Sequence, residues 1–227
     1  MKLNLGCGRI AFPLVRGAEG YPDHLQEMPD SVYEPGWVNV DKFAMPGVQE
    51  AVDLFRFPWV RSSNGNPFAD SSVDEIWCSH LVEHVPHQVR LAAGLPAALA
   101  REYTPLVENL DGFFVFFYEC WRLLKPDGVL HLRCPYGHSI AGMTDPSHTR
   151  YLTPGTFTYL LNDERDSAPF DYHLPMAFTM DPYALRFTPE WSKQLDQYTT
   201  TGIEGLLRKY FNVVDELRIT LRAVKPD

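Results

Sequence analysis

The chain has 227 residues, 45 % of them hydrophobic, with 20 Lys and Arg against 29 Asp and Glu for a formal net charge of −9. That length suits a single domain, 1–227, with an ordinary core. The acidity and the absence of a basic run speak against strong nonspecific nucleic-acid binding, and no apolar run nears the roughly 18–20 residues that cross a bilayer.

Residues 2–6 predict a first strand, broken at Gly6-Cys7-Gly8. Glycine permits a sharp turn or a close ligand, so this turn suits the carboxyl edge of a parallel sheet. Residues 10–36 hold Pro13, Pro22, Pro29 and Pro35 and are too irregular for a long helix. Residues 36–41 predict a second strand ending at Asp41, residues 49–54 a third ending near Asp53, and residues 72–78 a fourth. A helical stretch is expected from Ser79 to about Arg90, interrupted at Pro86, and another over 91–103. Phe113, Phe116, Phe117, Cys120 and Leu124 recur at helical steps and predict a helix over 113–125. Lys125-Pro126-Asp127-Gly128 stops it, and Val129–Cys134 is a fifth strand. Thr153-Pro154 opens a helix over 154–161, followed by a short helix at 203–210 and a strand at 213–224. Alternating strands and helices indicate an α/β parallel sheet.

Cys7, Cys78, Cys120 and Cys134 form no C-x-x-C pair. They read as reduced, mostly buried thiols of a cytoplasmic protein. Lys2 leads at once into the glycine turn, so no secretory leader is expected.

The glycine turn lacks the third glycine and the following helix that a dinucleotide pyrophosphate needs, and no Gly-Lys-Ser/Thr is present for a triphosphate. An adenosine ligand without phosphate needs close backbone, a carboxylate for the ribose and a polar group near the adenine. Gly6-Cys7-Gly8, Asp41 and Asp53 offer these in order, each at a predicted strand end. Taken singly, Asp41 and Asp53 also read as plain strand-end caps.

The series LNLGCG, WVNVD, VDL, FADSSVDEIWCSHLVEHV and CWRLLKPDGVLHLRCP resembles the class I S-adenosylmethionine-dependent methyltransferases, in particular the small type 11-like branch with an L-E-H triplet after the fourth strand. The resemblance covers roughly residues 2–135, with gaps at 10–36 and 85–111. It implies a Rossmann-like fold: a mostly parallel central sheet of about seven strands, the last antiparallel, with helices on both faces. It implies S-adenosyl-L-methionine as cofactor, with Gly6, Cys7 and Gly8 under the methionine and ribose. Asp41, followed by Lys42, matches the ribose position, Asp53 and Leu54 the adenine, and Ser79 and His80 the methionine end. Asn4 stands where the family often has Asp, and Ile10 where it often has a third glycine. The segments 10–36, 85–111 and 135–190 are expected to form the lid and substrate region.

His80-Leu81-Val82-Glu83-His84 also fits H-x-x-E-H, an inverted zinc-protease spacing, and His87 lies at the next helical step. The strand-end context and the match to L-E-H argue against a metal, and none is expected. His84 then reads as structural, with its ring tied to a neighbouring loop, and His80 as the candidate beside the methyl group. Asp145-Pro146-Ser147-His148-Thr149-Arg150 resembles a D-P-x-H-x-R segment of related methyltransferases. His148 is a candidate general base oriented by Asp145. The plainer reading is that Asp145 pairs with Arg150 to fix the loop. Further polar candidates downstream are Asp171, Tyr172 and His173.

The expected activity is methyl transfer to an oxygen or nitrogen of a small-molecule or sugar acceptor. Two alternatives stand beside it: methylation of a nucleic-acid base, and a catalytically idle fold used for binding.

Overall fold

The structure, a computed structural model, describes residues 1–14, 28, 30–161 and 176–226. It begins with β1 (Lys2–Leu5), a 3-10 turn (Asp30–Tyr33), β2 (Trp37–Asp41), β3 (Glu50–Ala51), β4 (Arg56–Phe57) and β5 (Val73–Ser79). A second 3-10 turn (Val82–His84), β6 (Arg90–Leu91), α1 (Ala97–Asn109), α2 (Gly112–Leu123) and β7 (Leu124–Pro135) follow. The remainder is α3 (Ile140–Thr144), α4 (Pro154–Thr158), β8 (Ala177–Met180), β9 (Ala184–Phe187), α5 (Pro189–Ser192), α6 (Thr200–Lys209) and β10 (Val214–Val224). No described helix is long and apolar enough to cross a membrane.

Eight strands form the central sheet in the order β3-β2-β1-β5-β7-β10-β8, with β9 also on β10. The pairs from β3 to β7 are parallel, and β10 runs antiparallel to β7, β8 and β9. This is a mostly parallel Rossmann-like sheet with the chain's last strand reversed. The chain leaves β1 toward β2 on one side and returns to β5 on the other. Such a reversal opens a crevice at the carboxyl ends of β1 and β5, the usual ligand position in open α/β sheets.

Side-chain alternation assigns the two faces. Leu3, Leu5, Ile76 and Cys78 join the main core with Phe113, Phe116, Phe117, Cys120 and Leu123 of α2. Trp37 and Trp77 face the opposite side, where Phe12, Leu14 and Val32 cover them. Asp111 caps α2 by accepting from Phe113 N at 2.8 Å. Inside the core, the Glu119 carboxylate accepts from Trp59 N and Arg122 Nη2, both at 2.8 Å, and from the Tyr103 hydroxyl. The buried charge of Glu119 is thereby matched by Arg122 and two further donors.

The structure departs from the sequence expectations in several elements. The segment 79–90 is not a helix: His80 has φ +52°, and only Val82–His84 makes a 3-10 turn. The helix expected over 91–103 lies at Ala97–Asn109. Lys125–Gly128 does not separate helix from strand but bulges within β7, because Val73 pairs with Leu124 and Glu75 with Val129. Within 135–190, Ala177–Met180 and Ala184–Phe187 form β8 and β9 of the central sheet, which the sequence did not predict. Pro22, Pro29, Asp171, Tyr172 and His173 lie outside the described residues.

Candidate functional site

At the end of β1 the chain must turn sharply without losing its ladder. Gly6 N and Cys7 N both donate to Val40 O of β2, at 2.8 and 3.3 Å, and Gly6 adopts φ +63°. A Cβ at Gly6 would stand 3.2 Å from the Leu81 methyl carbons. The turn therefore sits directly under the loop that leaves β5. Gly8, at φ +53°, donates its N–H to Asp41 Oδ2 at 2.9 Å. Asp41 Oδ1 accepts from Phe43 N at 3.1 Å. The Asp41 carboxylate is thus buried and held in place by two backbone donors.

Gly6, Asp41, Lys42, Asp53 and Leu54 line one cleft of about 370 Å³, together with Phe55, Leu81, His84 and Ser147. Asp53 is bound locally, accepting from Phe55 N at 3.1 Å and Arg56 Nε at 3.0 Å. A second cavity of about 250 Å³ meets the first at Gly6 and is lined by Asn4, Cys7, Trp77, Ser79 and His80. All ten residues expected to hold a cofactor therefore border these two spaces or, as with Gly8, brace their walls. A larger cleft of about 540 Å³ lies between α2 and residues 149–159 and contains none of them. We place the site at the two smaller spaces because they occupy the crevice of the sheet.

The individual roles differ from expectation. Asn4 uses both Nδ2 hydrogens on the protein, donating to Ile10 O at 2.9 Å and Asn39 Oδ1 at 2.8 Å. Asn39 in turn bonds Phe12 N and Phe12 O. Asn4 and Asn39 thus clamp the segment after the glycine turn against the sheet. Burial and the nearby Asp41 charge push the Cys7 thiol up to about 11, so it is not a nucleophile.

His80 is not positioned as a base. Its Nε2 lies 3.3 Å from Glu216 Oε2 and its Nδ1 3.5 Å from Glu83 Oε1. Partial burial lowers its pKa, but the two carboxylates outweigh burial and raise it to about 9. The two carboxylates thus favour the protonated ring. Glu216 stays ionised: burial raises its pKa, but His80 and Arg218 hold it at about 2.

The three histidines that share a face on a helix diverge here, because that helix does not form. His80 meets Glu216, His87 Nδ1 meets Asp111 Oδ2 at 2.7 Å, and His84 Nδ1 lies 3.0 Å from Ser147 Oγ. The 145–150 segment is laced onto the 82–85 turn instead. Thr149 N donates to Glu83 O at 2.8 Å, Thr149 Oγ1 to Val85 O at 2.7 Å, and Arg150 Nε to Val85 O at 3.0 Å. Arg150 does not pair with Asp145; its guanidinium reaches Asp111 Oδ1 at 2.8 Å. Asp145 Oδ1 accepts from Ser147 N and Ser147 Oγ. Its Oδ2 is 4.0 Å from His148 Nε2, so it does not hydrogen-bond the ring it was expected to orient.

Reasoning from sequence overlooked Glu216, Leu81, Phe55 and Ser147. Leu81 and Phe55 directly follow positions the resemblance marks, which is a usable signal. Glu216 is 136 residues from His80 and carries none.

No family model and no curated protein matches the sequence. Among solved structures, the chain is similar to a SAM dependent methyltransferase from Archaeoglobus fulgidus (15 % identity, TM-score 0.48, covering 97 % of this chain and 85 % of that one). It is also similar to an S-adenosylmethionine dependent methyltransferase from Mesorhizobium loti (12 %, 0.45, 97 % and 89 %) and to the [4+2]-cyclase SpnF (11 %, 0.46, 99 % and 74 %). These likenesses are of the fold alone.

Proposed function

We propose that the chain is an S-adenosylmethionine-dependent methyltransferase acting on a hydroxyl or amine of a small-molecule or sugar acceptor. The observation that carries this reading is the convergence of Gly6, Asp41, Lys42, Asp53 and Leu54 on one cleft at the switch point of the sheet. The residues present fit the cofactor. Gly6 leaves a cradle that a Cβ would fill against Leu81. Asp41 has two lone-pair sites engaged by backbone donors and the rest available to ribose hydroxyls. Leu54 and Phe55 supply an apolar wall beside Asp53 for a base.

When bound, S-adenosylmethionine supplies an electrophilic methyl group on a sulfonium. His80, expected to act at the methyl, is assigned instead to walling the methionine end of the cofactor, where it lines the second cavity with its ring held by Glu216 and Glu83. Ser79 and Cys7 wall that cavity. The acceptor side is assigned to the part of the first cleft lined by His84 and Ser147, with the His148 ring 4.7 Å from that of His84. Alignment of two bound reactants supplies most of what such a transfer needs.

Calorimetric titration of the purified protein with S-adenosylmethionine tests the reading. Saturable binding of one molecule per chain supports it. No heat at millimolar cofactor, with no cofactor found by mass spectrometry in the purified protein, leaves the idle-fold alternative in its place.

A further inference from the structure

Glu83 sits in the 3-10 turn after β5 with its side chain only 2 % exposed. Neither of its carboxylate oxygens accepts a hydrogen bond. A buried carboxylate without donors is costly, so something else must answer its charge. The nearest basic groups are His80 Nδ1 at 3.5 Å and His148 Nε2 at 4.0 Å.

His148 does not answer that charge as a neutral ring. Its Nδ1 lies 2.9 Å from Gly142 O, and a bond to a carbonyl requires the proton on Nδ1. The lone pair of the neutral ring is therefore on Nε2. That nitrogen faces Glu83 Oε1 and Asp145 Oδ2, each 4.0 Å away. His80 offsets part of the Glu83 charge from 3.5 Å, but a ring lone pair facing two carboxylates is still repelled unless a positive charge lies between them.

His84 completes the group. Donor atoms of Glu83, His84 and His148 all lie within 4.8 Å of one another. Two ligands bound at about 2.0–2.2 Å to one ion stand at most about 4.4 Å apart, so the cluster is near the spacing of a first coordination shell. The bond from His148 Nδ1 to a carbonyl is the outer-shell contact that orients metal-ligating histidines.

We infer that Glu83, His84 and His148 form a divalent-metal site at the rim of the cofactor cleft, taking Zn²⁺ or Mn²⁺. Two imidazoles and a carboxylate suit such ions better than Ca²⁺ or Mg²⁺, which favour all-oxygen shells. The metal that the H-x-x-E-H spacing suggests is thus recovered with a different ligand set. Glu83 and His84 remain, His80 is replaced by His148, and the helix that the motif needs is absent. Three protein ligands leave positions open, as in sites where a metal binds substrate. His84 also lines the cleft that holds Gly6 and Asp41. An acceptor hydroxyl on the ion would lose its proton to water more readily, which removes the need for His148 as a general base. This last role rests on the methyltransferase reading; the metal site does not.

The test uses the full chain after treatment with a chelator, titrated calorimetrically with ZnCl₂ and MnCl₂, with MgCl₂ for comparison. One Zn²⁺ or Mn²⁺ per chain is expected, with Mg²⁺ weaker. His84→Ala and His148→Ala should each weaken binding on the order of tenfold or more. His84 is half-buried, so its variant keeps the test informative if the His148 variant fails to fold. No saturable binding of either ion overturns the inference, as does binding that survives in folded His84→Ala. S-adenosylmethionine is titrated separately into metal-free protein. Cofactor binding without metal binding sinks this site alone, and metal binding without cofactor binding sinks the methyltransferase reading alone.

Discussion

Replacing Asp41 by Ala removes the carboxylate that joins β2 to the glycine turn. Two consequences follow from its contacts. The loop loses the bonds from Gly8 N at 2.9 Å and Phe43 N at 3.1 Å. Each is a hydrogen bond to a charged group on a buried side chain, and together they should contribute about 2 kcal/mol to stability. For a domain of this size that lowers Tm by about 4–8 °C. Ribose binding also loses its acceptor. A charge-assisted hydrogen bond contributes about 1.5–3 kcal/mol, and two hydroxyls on one carboxylate share the loss. We expect about 3–4 kcal/mol, or a weakening of S-adenosylmethionine binding by roughly 10²- to 10³-fold. Asp41→Asn keeps the shape and one acceptor but not the charge, and should weaken binding about tenfold with a smaller fall in Tm. Calorimetry for affinity and calorimetric melting of the free protein separate the two effects. An affinity for Asp41→Ala within twofold of the parent would refute the ribose role, whatever happens to Tm.

Gly6→Ala places a Cβ 3.2 Å from Leu81 at φ +63°, a conformation costing about 1–2 kcal/mol for a non-glycine residue. It should lower Tm by a few degrees and impair cofactor binding. Gly8→Ala has a similar φ but open space around it, and should bind better than Gly6→Ala when the two are compared by titration. Glu119→Ala leaves Arg122 buried without its main partner and should cost about 3–5 kcal/mol in urea unfolding; a loss below about 1 kcal/mol would contradict the account. Burial raises the pKa of Glu50, but bonds from Ser63, Arg61 and Ser62 outweigh it and hold it at about 2 instead of 4.5. A depressed carboxylate stabilises above its unfolded pKa, so stability should fall as pH drops from about 4.5 toward 2. Glu50→Gln should flatten the stability profile in that window, and an unchanged slope would show that the Glu50 contacts contribute nothing.

Much of the cleft was legible because it is built at strand ends, where local chemistry dominates. An apolar run stopping at Gly6-Cys7-Gly8, another stopping at Asp41 and a third stopping at Ser79 each announce a carboxyl edge within a few residues. The resemblance to methyltransferases then ordered those edges. The segment after β5 was misread for a physical reason. Its residues have helical spacing, but the left-handed His80 breaks the helix, and the Glu83 and Val85 carbonyls bond to Thr149 and Arg150 instead of to helical N–H groups. Those partners lie more than sixty residues downstream, beyond any local pattern. Separation along the chain likewise hid the pairing of His80 with Glu216 and of Arg150 with Asp111. Strands β8 and β9 are short, and what fixes them is a partner strand, β10, rather than their own four residues each.

The central claim is that the crevice at the end of β1 binds S-adenosylmethionine. Equilibrium dialysis with the labelled compound tests it most directly, with S-adenosylhomocysteine, NAD⁺ and ATP as competitors. The account predicts one site per chain, displaced by S-adenosylhomocysteine and untouched by NAD⁺ or ATP, because among the described residues no helix starts at the glycine turn to hold a pyrophosphate. Displacement by either of those phosphates, or no retention of label at all, would contradict it.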